Sequence, residues 1–300
     1  MKLQKILWPT DGSEESNSSL RYAVFLAEKF KTEIVGLYVS EIHYPIISLY
    51  PVPEQYMIDI AEKSQKKFEK RFNAISSRLK KQGISFSHKI VQTNVPDGII
   101  STAKNNKCDL IVMGKHGLGF IERTILGSNT AKVIKKSQIP VLSTSGKGRK
   151  KIAQMSKVLV PVDVSDIKIK SITSSIEYAN ELDASATLLY VFWLNEKVYD
   201  IPPKLLKKLV LEANQKLKKI AYTTAQNIKK SDKKTNTKIN YEIIYGINPG
   251  HSVSWYAKKM KFDMIIMNTH GRTGINRLML GSEAEKIIRT APCPVMIDRP

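Results

Sequence analysis

The 300 residues are 42% hydrophobic and 25% charged, the balance of a globular chain with room for two ordinary domains. No apolar run reaches the roughly 18 residues of a membrane span, no signal peptide is visible, and two cysteines, Cys108 and Cys293, cannot build a disulfide framework; a reducing, cytoplasmic setting with no membrane partner is expected. The formal charge of +21 divides almost evenly, +11 in residues 1–150 and +10 in the rest, which disfavours a nucleic-acid reader with one basic face and leaves the charge to steer nucleotides and other small anions.

Residues 4–9 read as a first strand, ending at Pro9-Thr10-Asp11-Gly12-Ser13. Ser13 with Glu14 and Glu15 behind it signals a helix start, and Leu20, Ala23, Val24, Ala27 and Phe30 recur at helical spacing. A second strand over 33–39 is followed by a loop bearing Pro45, Pro51 and Pro53, then by a long lysine-rich helix to about Lys81, closed by Gly83. Strand three falls at 84–91, a helix from Pro96 and Asp97 to Lys104, strand four at 109–113, a short helix at 128–136 and strand five at 139–144. The polar, basic stretch Ser145–Lys151 reads as the linker, giving domains over 1–145 and 157–300 joined by 146–156. The second half repeats the plan, with strands near 157–162, 185–191, 238–244, 263–267 and 294–298. Its helices fall near 168–182, 203–230, 250–260 and 282–290, and Lys229–Lys238 reads as a charged, mobile loop. Strands alternating with helices predict right-handed βαβ units and mostly parallel sheets. Ligands of such sheets bind beyond the carboxyl ends of the strands.

One stretch occurs twice. Asp109–Ser128 and Asp263–Ser282 match at an offset of 154, aligning Gly117 with Gly271 and Gly127 with Gly281; Lys5–Ser13 matches Lys157–Ser165 at an offset of 152. A period near 150 is too long for a solenoid repeat and suits a duplicated domain. In each copy an apolar strand runs into a glycine-bearing loop and then a helix start, an arrangement suited to an anion. Glycine admits backbone N–H groups, and the helix N-terminus adds unpaired donors and the positive end of its dipole. The loop is not a Walker A sequence, because no G-x-x-x-x-G-K-[ST] occurs, nor the dinucleotide fingerprint, because Glu122 stands where a third glycine belongs. What remains is G-x2-G-x9-G-S at Gly114, Gly117, Gly127 and Ser128.

With the Pro-x-Asp end of strand one, this pattern resembles the universal stress protein family in its tandem two-domain form. The Thr-His-Gly-Arg-Thr-Gly and Ala-Pro-Cys-Pro-Val stretches of the second half are also similar to that family. The resemblance implies two open, doubly wound α/β domains of strand order 3-2-1-4-5, adenine nucleotide alpha hydrolase-like, binding ATP with or without Mg2+. Pro9 and Thr10 lead into Asp11, which resembles the aspartate holding the adenosine end. Val39 resembles the residue whose backbone meets adenine. Met113 and Gly114 match the entry to the phosphate loop. Gly117, Gly127, Ser128, Asn129 and Thr130 match positions that wrap ribose and phosphates. In the second half Asp163, Val191, Met267, Gly271, Gly281 and Ser282 match. Two departures there weaken the case: Asn268 replaces the first glycine and would take space near a ligand, and Ala284 lacks the hydroxyl of Thr130.

Other residues have blander readings beside their functional ones. His116 and His270 sit at matched loop positions, where a backbone contact competes with a ligand contact, and His43, His88 and His251 show no metal-ligand spacing. Asp109 and Asp263 read as turn or cap residues, and the cysteines as small buried hydrophobes. Arg123 and Arg277 fit phosphate or a surface carboxylate equally. No catalytic constellation and no metal site stands out. Three functions therefore compete: a stress module with ATP as structural or regulatory ligand, a slow ATPase or self-phosphorylating enzyme using Ser128 or Thr130, and a nucleotide-independent scaffold. The resemblance further implies that the last strands, Ile139–Thr144 and Pro294–Asp298, pair antiparallel as an intramolecular pseudo-dimer, with homodimerisation of the whole chain left open.

Overall fold

The computed structural model describes residues 3–41, 54–117, 126–145, 152, 154–165, 169–194, 201–230, 237–268 and 280–298. The proline-bearing loop, His43, His270, Gly271, Arg123, Arg277 and most of the charged loop before Lys238 lie outside them. The chain divides into two compact units, Lys2–Lys151 and Ile152–Pro300.

The first unit runs β1 (Lys5–Pro9), α1 (Glu14–Phe30), β2 (Glu33–Ser40), α2 (Glu54–Lys80), β3 (Phe86–Gln92), α3 (Val95–Asn105), β4 (Leu110–Gly114), α4 (Ser128–Lys136) and β5 (Val141–Thr144). All pairings are parallel and the order is β3-β2-β1-β4-β5. The second unit runs β6 (Lys157–Pro161), α5 (Ile169–Glu181), β7 (Ser185–Trp193), α6 (Pro203–Lys230), β8 (Ile239–Gly246), α7 (Pro249–Lys259), β9 (Met264–Asn268), α8 (Ser282–Thr290) and β10 (Val295–Asp298). Its strands are parallel in the equivalent order, β8-β7-β6-β9-β10. β3 starts two residues later than its apolar pattern predicts. Gly83 takes φ 73° and the Ile84 N–H returns to the Leu79 carbonyl at 3.0 Å, so buried Ile84 closes α2 instead of opening the strand.

Helices on both faces bury most of the central strands, and all five residues of β4. Trp8 of β1 is wholly buried, and its indole N–H reaches the Ser16 carbonyl at 2.9 Å and Ser19 Oγ at 3.0 Å. Its ring meets Phe72 of α2 edge-on, centroids 6.2 Å apart. β1 and β4, 100 residues apart in sequence, are latched at their starts by Asp109, whose Oδ2 accepts the N–H groups of Gln4 (2.7 Å) and Lys5 (2.9 Å). Asp263 does the same in the second unit for Ser156 (2.9 Å) and Lys157 (3.1 Å). The matched aspartates are thus structural, but as latches between distant strands and not as the turn or cap residues expected from the sequence. Cys108 and Cys293 are both buried, and burial, above the smaller effects of Lys5, Asp109 and Glu33, pushes the Cys108 thiol up to about 12.

Replacing Asp109 by Ala removes the acceptor of two backbone donors, one exposed and one part-buried, and should destabilise the chain by about 1 kcal/mol. Urea unfolding measures it, and an unchanged midpoint would rule out the latch.

Candidate functional site

A cavity of about 300 Å³ opens where the carboxyl ends of β1, β2 and β4 meet the first turns of α3 and α4. Its wall includes all eleven residues singled out in the first half: Pro9, Thr10, Asp11, Val39, Met113, Gly114, Gly117, Gly127, Ser128, Asn129 and Thr130. It also includes Ser16, Leu37, Val95, Ile99 and His116, which sequence matching did not assign as contacts.

The end of β1 is held by a small polar network. Thr10 Oγ1 meets Ser16 Oγ at 2.9 Å and accepts the Gly12 N–H at 3.1 Å. Ser13 caps α1 by accepting the Ser16 N–H at 3.1 Å, and Asp11 Oδ1 accepts the Ser13 N–H at 3.0 Å. These bonds turn the Asp11 carboxylate toward the glycine loop. A side chain on Gly117 would begin 2.6 Å from Asp11 Oδ2, and one on Gly127 would stand 3.0 Å from the Lys115 carbonyl oxygen. A side chain on Gly117 would have to displace the Asp11 carboxylate, and one on Gly127 would be tight against backbone, so glycine keeps both approaches open.

α4 begins beside this loop. Gly127, its N-cap, offers no side-chain acceptor, so the first N–H groups of α4 are left as donors at the positive end of the helix dipole. Ser128 is exposed there and Asn129 half-buried. Thr130 is used differently: it is buried and donates its hydroxyl to the Gly114 carbonyl at 2.9 Å, tying α4 to β4. The opposite wall is apolar, made of Leu37, Val39, Val95, Ile99 and Met113. The cavity thus joins a carboxylate, an apolar slot and a cluster of unpaired N–H donors, the chemistry that a nucleoside phosphate requires.

Part of the apolar wall rests on a residue that sequence reasoning missed. Asn94 precedes α3 without capping it; instead Glu41, just past β2, accepts the Val95 N–H at 2.6 Å and the Asn94 side-chain amide at 3.2 Å. The cap joins elements 54 residues apart, so no local pattern reveals it. The second unit caps the same helix another way. Glu283 of α8 accepts the Gly250 N–H of α7 at 2.6 Å and pairs with Lys286 at 2.7 Å. Burial alone would raise the Glu283 carboxyl; hydrogen bonds from Lys286 and Gly250 and the charges of Lys286 and His251 outweigh it and hold it below its ordinary value.

At the crevice of the second unit, Asp163 accepts the N–H and the hydroxyl of Ser165 at 2.9 and 2.6 Å. Val191 and Met267 are buried, and Gly281 and Ser282 start α8, as in the first unit. Asn268, in the place of Gly114, turns its side chain to α5, donating to the Ser171 carbonyl at 3.0 Å and Ser175 Oγ at 3.2 Å. Its strand partner is Asp298, buried and bonded to Ser174 Oγ at 2.7 Å, where Gly114 has Thr144. Ala284 makes no bond like that of Thr130.

Comparison with known proteins places this arrangement. The sequence profile of the universal stress protein family matches residues 2–144 and, separately, 155–299. The chain belongs to the universal stress protein family. It has the tandem two-domain form, being similar over nearly its whole length to a universal stress protein of Mycolicibacterium smegmatis, 22% identical over 98% of this chain and 97% of that one. Universal stress protein MJ0531 of Methanocaldococcus jannaschii is 32% identical over 148 residues, 47% of this chain and 80% of its own. Among solved structures, a universal stress protein of Archaeoglobus fulgidus matches 99% of this chain and 97% of its own with a TM-score of 0.65 at 19% identity, a likeness of fold.

In Glu41→Ala the Val95 amide should exchange hydrogen faster and the chain should lose about 1 kcal/mol, whereas Glu41→Gln, which keeps an acceptor, should retain most of both. Exchange at Val95 unchanged by the alanine would refute the cap.

Proposed function

We propose that this universal stress protein binds an adenine nucleotide, ATP, in its first half, and that the nucleotide serves as a structural or regulatory ligand in a cytoplasmic stress response. The observation that carries this reading is the single cavity joining Asp11, the apolar slot and the α4 N-terminus. Its volume of about 300 Å³ lies at the lower end of the range of small-molecule sites. Asp11 would accept from ribose hydroxyls or the adenine amine, the slot would hold the base, and the α4 donors with Ser128 and Asn129 would take phosphate oxygens. Among the described residues no group of three or more His, Cys, Asp or Glu side chains could hold a metal, so Mg2+ would be carried by the phosphates. For the slow-enzyme reading, the donated hydroxyl of Thr130 makes exposed Ser128 the better acceptor of a phosphoryl group.

Mass spectrometry of nucleotide released from denatured protein identifies the ligand, and recovery of none, together with no heat on titration with ATP, ADP or AMP, would sink the reading. Gly127→Val should weaken binding on the order of a hundredfold by driving a side chain at the Lys115 carbonyl, and Asp11→Ala about tenfold to a hundredfold without loss of the cooperative melt. Gly281→Val should matter little, since among the described residues nothing lies within 4 Å of a side chain there. Two equivalent sites by calorimetry would contradict this asymmetry.

The reading extends to assembly. β5 and β10 each stand last in their own sheet order, and the proposal is that these edges pair between the halves. Cysteines placed on β5 and β10 should then cross-link within one chain, and Leu142→Pro should abolish the cross-link; cross-links formed only between chains would point to a homodimer instead.

A further inference from the structure

We infer that the outer face of α6 is a docking surface for an anionic lipid bilayer. The inference is independent of the nucleotide reading and departs from the expectation of no membrane partner, which rested on the lack of a spanning run and of a visible signal peptide.

Counted by helix, the charge is not level. α6 has eight lysines and a single acid, Glu212, while α2, its counterpart in the first half, sets four acids among seven basic residues. On α2 lysines are partly answered in place, as Lys66 is by Glu62 at 3.4 Å. α6 buries Ala213, Leu217, Ile220, Ala221, Thr224 and Ile228 against its own unit. The opposite crest runs through Lys204, Lys208, Leu211, Gln215, Lys219, Tyr222 and Lys229, all exposed, in steps of three or four residues up to Tyr222 and of seven to Lys229. The one acid of the helix, Glu212, is exposed at the edge of that crest, beside Leu211 and four residues after Lys208. Leu211 is 57% and Tyr222 67% exposed.

The shape and the chemistry of the crest select the partner. A helix of 28 residues is about 42 Å long, and α6 has neither glycine nor proline after its first residue, so the crest is a straight row. A flat anionic surface meets the whole row. The phosphates of a duplex wind away from a straight helix within one turn, so a nucleic acid meets only part of it. Leu211 and Tyr222 gain nothing from phosphodiesters, whereas at a bilayer they enter the boundary between headgroups and acyl chains, where tyrosine is at home. Each lysine held near an anionic leaflet strengthens binding by about fivefold. The contact is peripheral: none of the described helices is long and apolar enough to cross a membrane.

The test is sedimentation of the full chain with vesicles of phosphatidylcholine alone or mixed with phosphatidylserine, at low and high salt. Binding is expected only to the mixed vesicles and only at low salt. Combined Lys208→Gln, Lys219→Gln and Lys229→Gln should weaken it on the order of a hundredfold. Combined Leu211→Ser and Tyr222→Ser should weaken it severalfold without altering its salt dependence. The matched α2 variant, Lys63→Gln with Lys66→Gln and Lys70→Gln, should change it little. All these positions are solvent-facing, and an unchanged circular-dichroism melt certifies the fold of each variant. No sedimentation with mixed vesicles at low salt, an equal loss from the α2 variant, or an α6 variant that releases duplex DNA but keeps its vesicles would each overturn the inference.

Discussion

Helix α1 lies so close to the end of β4 that a side chain on Gly114 would begin 3.2 Å from the backbone of Glu15. That seam governs the first half. It is held from the strand side by Trp8, whose indole bonds Ser16 and Ser19, and from the loop side by Thr10 and Ser13, which bond Ser16 again. Four bonds converging on one turn of α1 leave it no freedom to retreat. Glycine at the seam, and again at Gly117 where the chain passes Asp11, lets these approaches stay close. The cavity is the space that remains between this loop, the start of α4 and the apolar side chains of β2 and α3.

The second half keeps the frame and changes the seam. Val160 stands where Trp8 stands in the repeat, and α5 makes polar contacts with β9 and β10: Asn268 reaches Ser171 and Ser175, and Asp298 of β10 holds Ser174. A glycine at this seam needs only close approach, while an asparagine needs partners for its amide, and α5 supplies them with serines. Duplication thus preserved the elements that bury the core and the aspartates that latch neighbouring strands. At the crevice most matched positions kept their residue, with changes at Gly114, Asn129 and Thr130, which become Asn268, Glu283 and Ala284.

The same division shows in the helix caps. α3 and α7 each present a first turn without enough local acceptors, and each receives a carboxylate from elsewhere, Glu41 from the end of β2 and Glu283 from α8. The requirement belongs to the helix terminus; which residue meets it depends on what the packing brings near.

Much of this protein was legible in its sequence. Strand and helix periods marked the ten strands and eight helices found among the described residues, the offsets near 150 marked the duplication, and the spacing of Gly114, Gly117 and Gly127 marked the loop that lines the cavity. These are local or repeated signals, set by backbone geometry and by the period of burial. Long-range contact decided the rest. Glu41 as a cap, the use of the Thr130 hydroxyl on Gly114, the buried pairing of Asp298 with Ser174 and the gathering of charge on the crest of α6 each join residues that only folding makes neighbours, or depend on which helix face the core leaves outside. A pattern along the chain states which residues are apolar and at what interval; which polar atom finds which partner is a matter of distance in space, and that distance exists only once the sheet has formed.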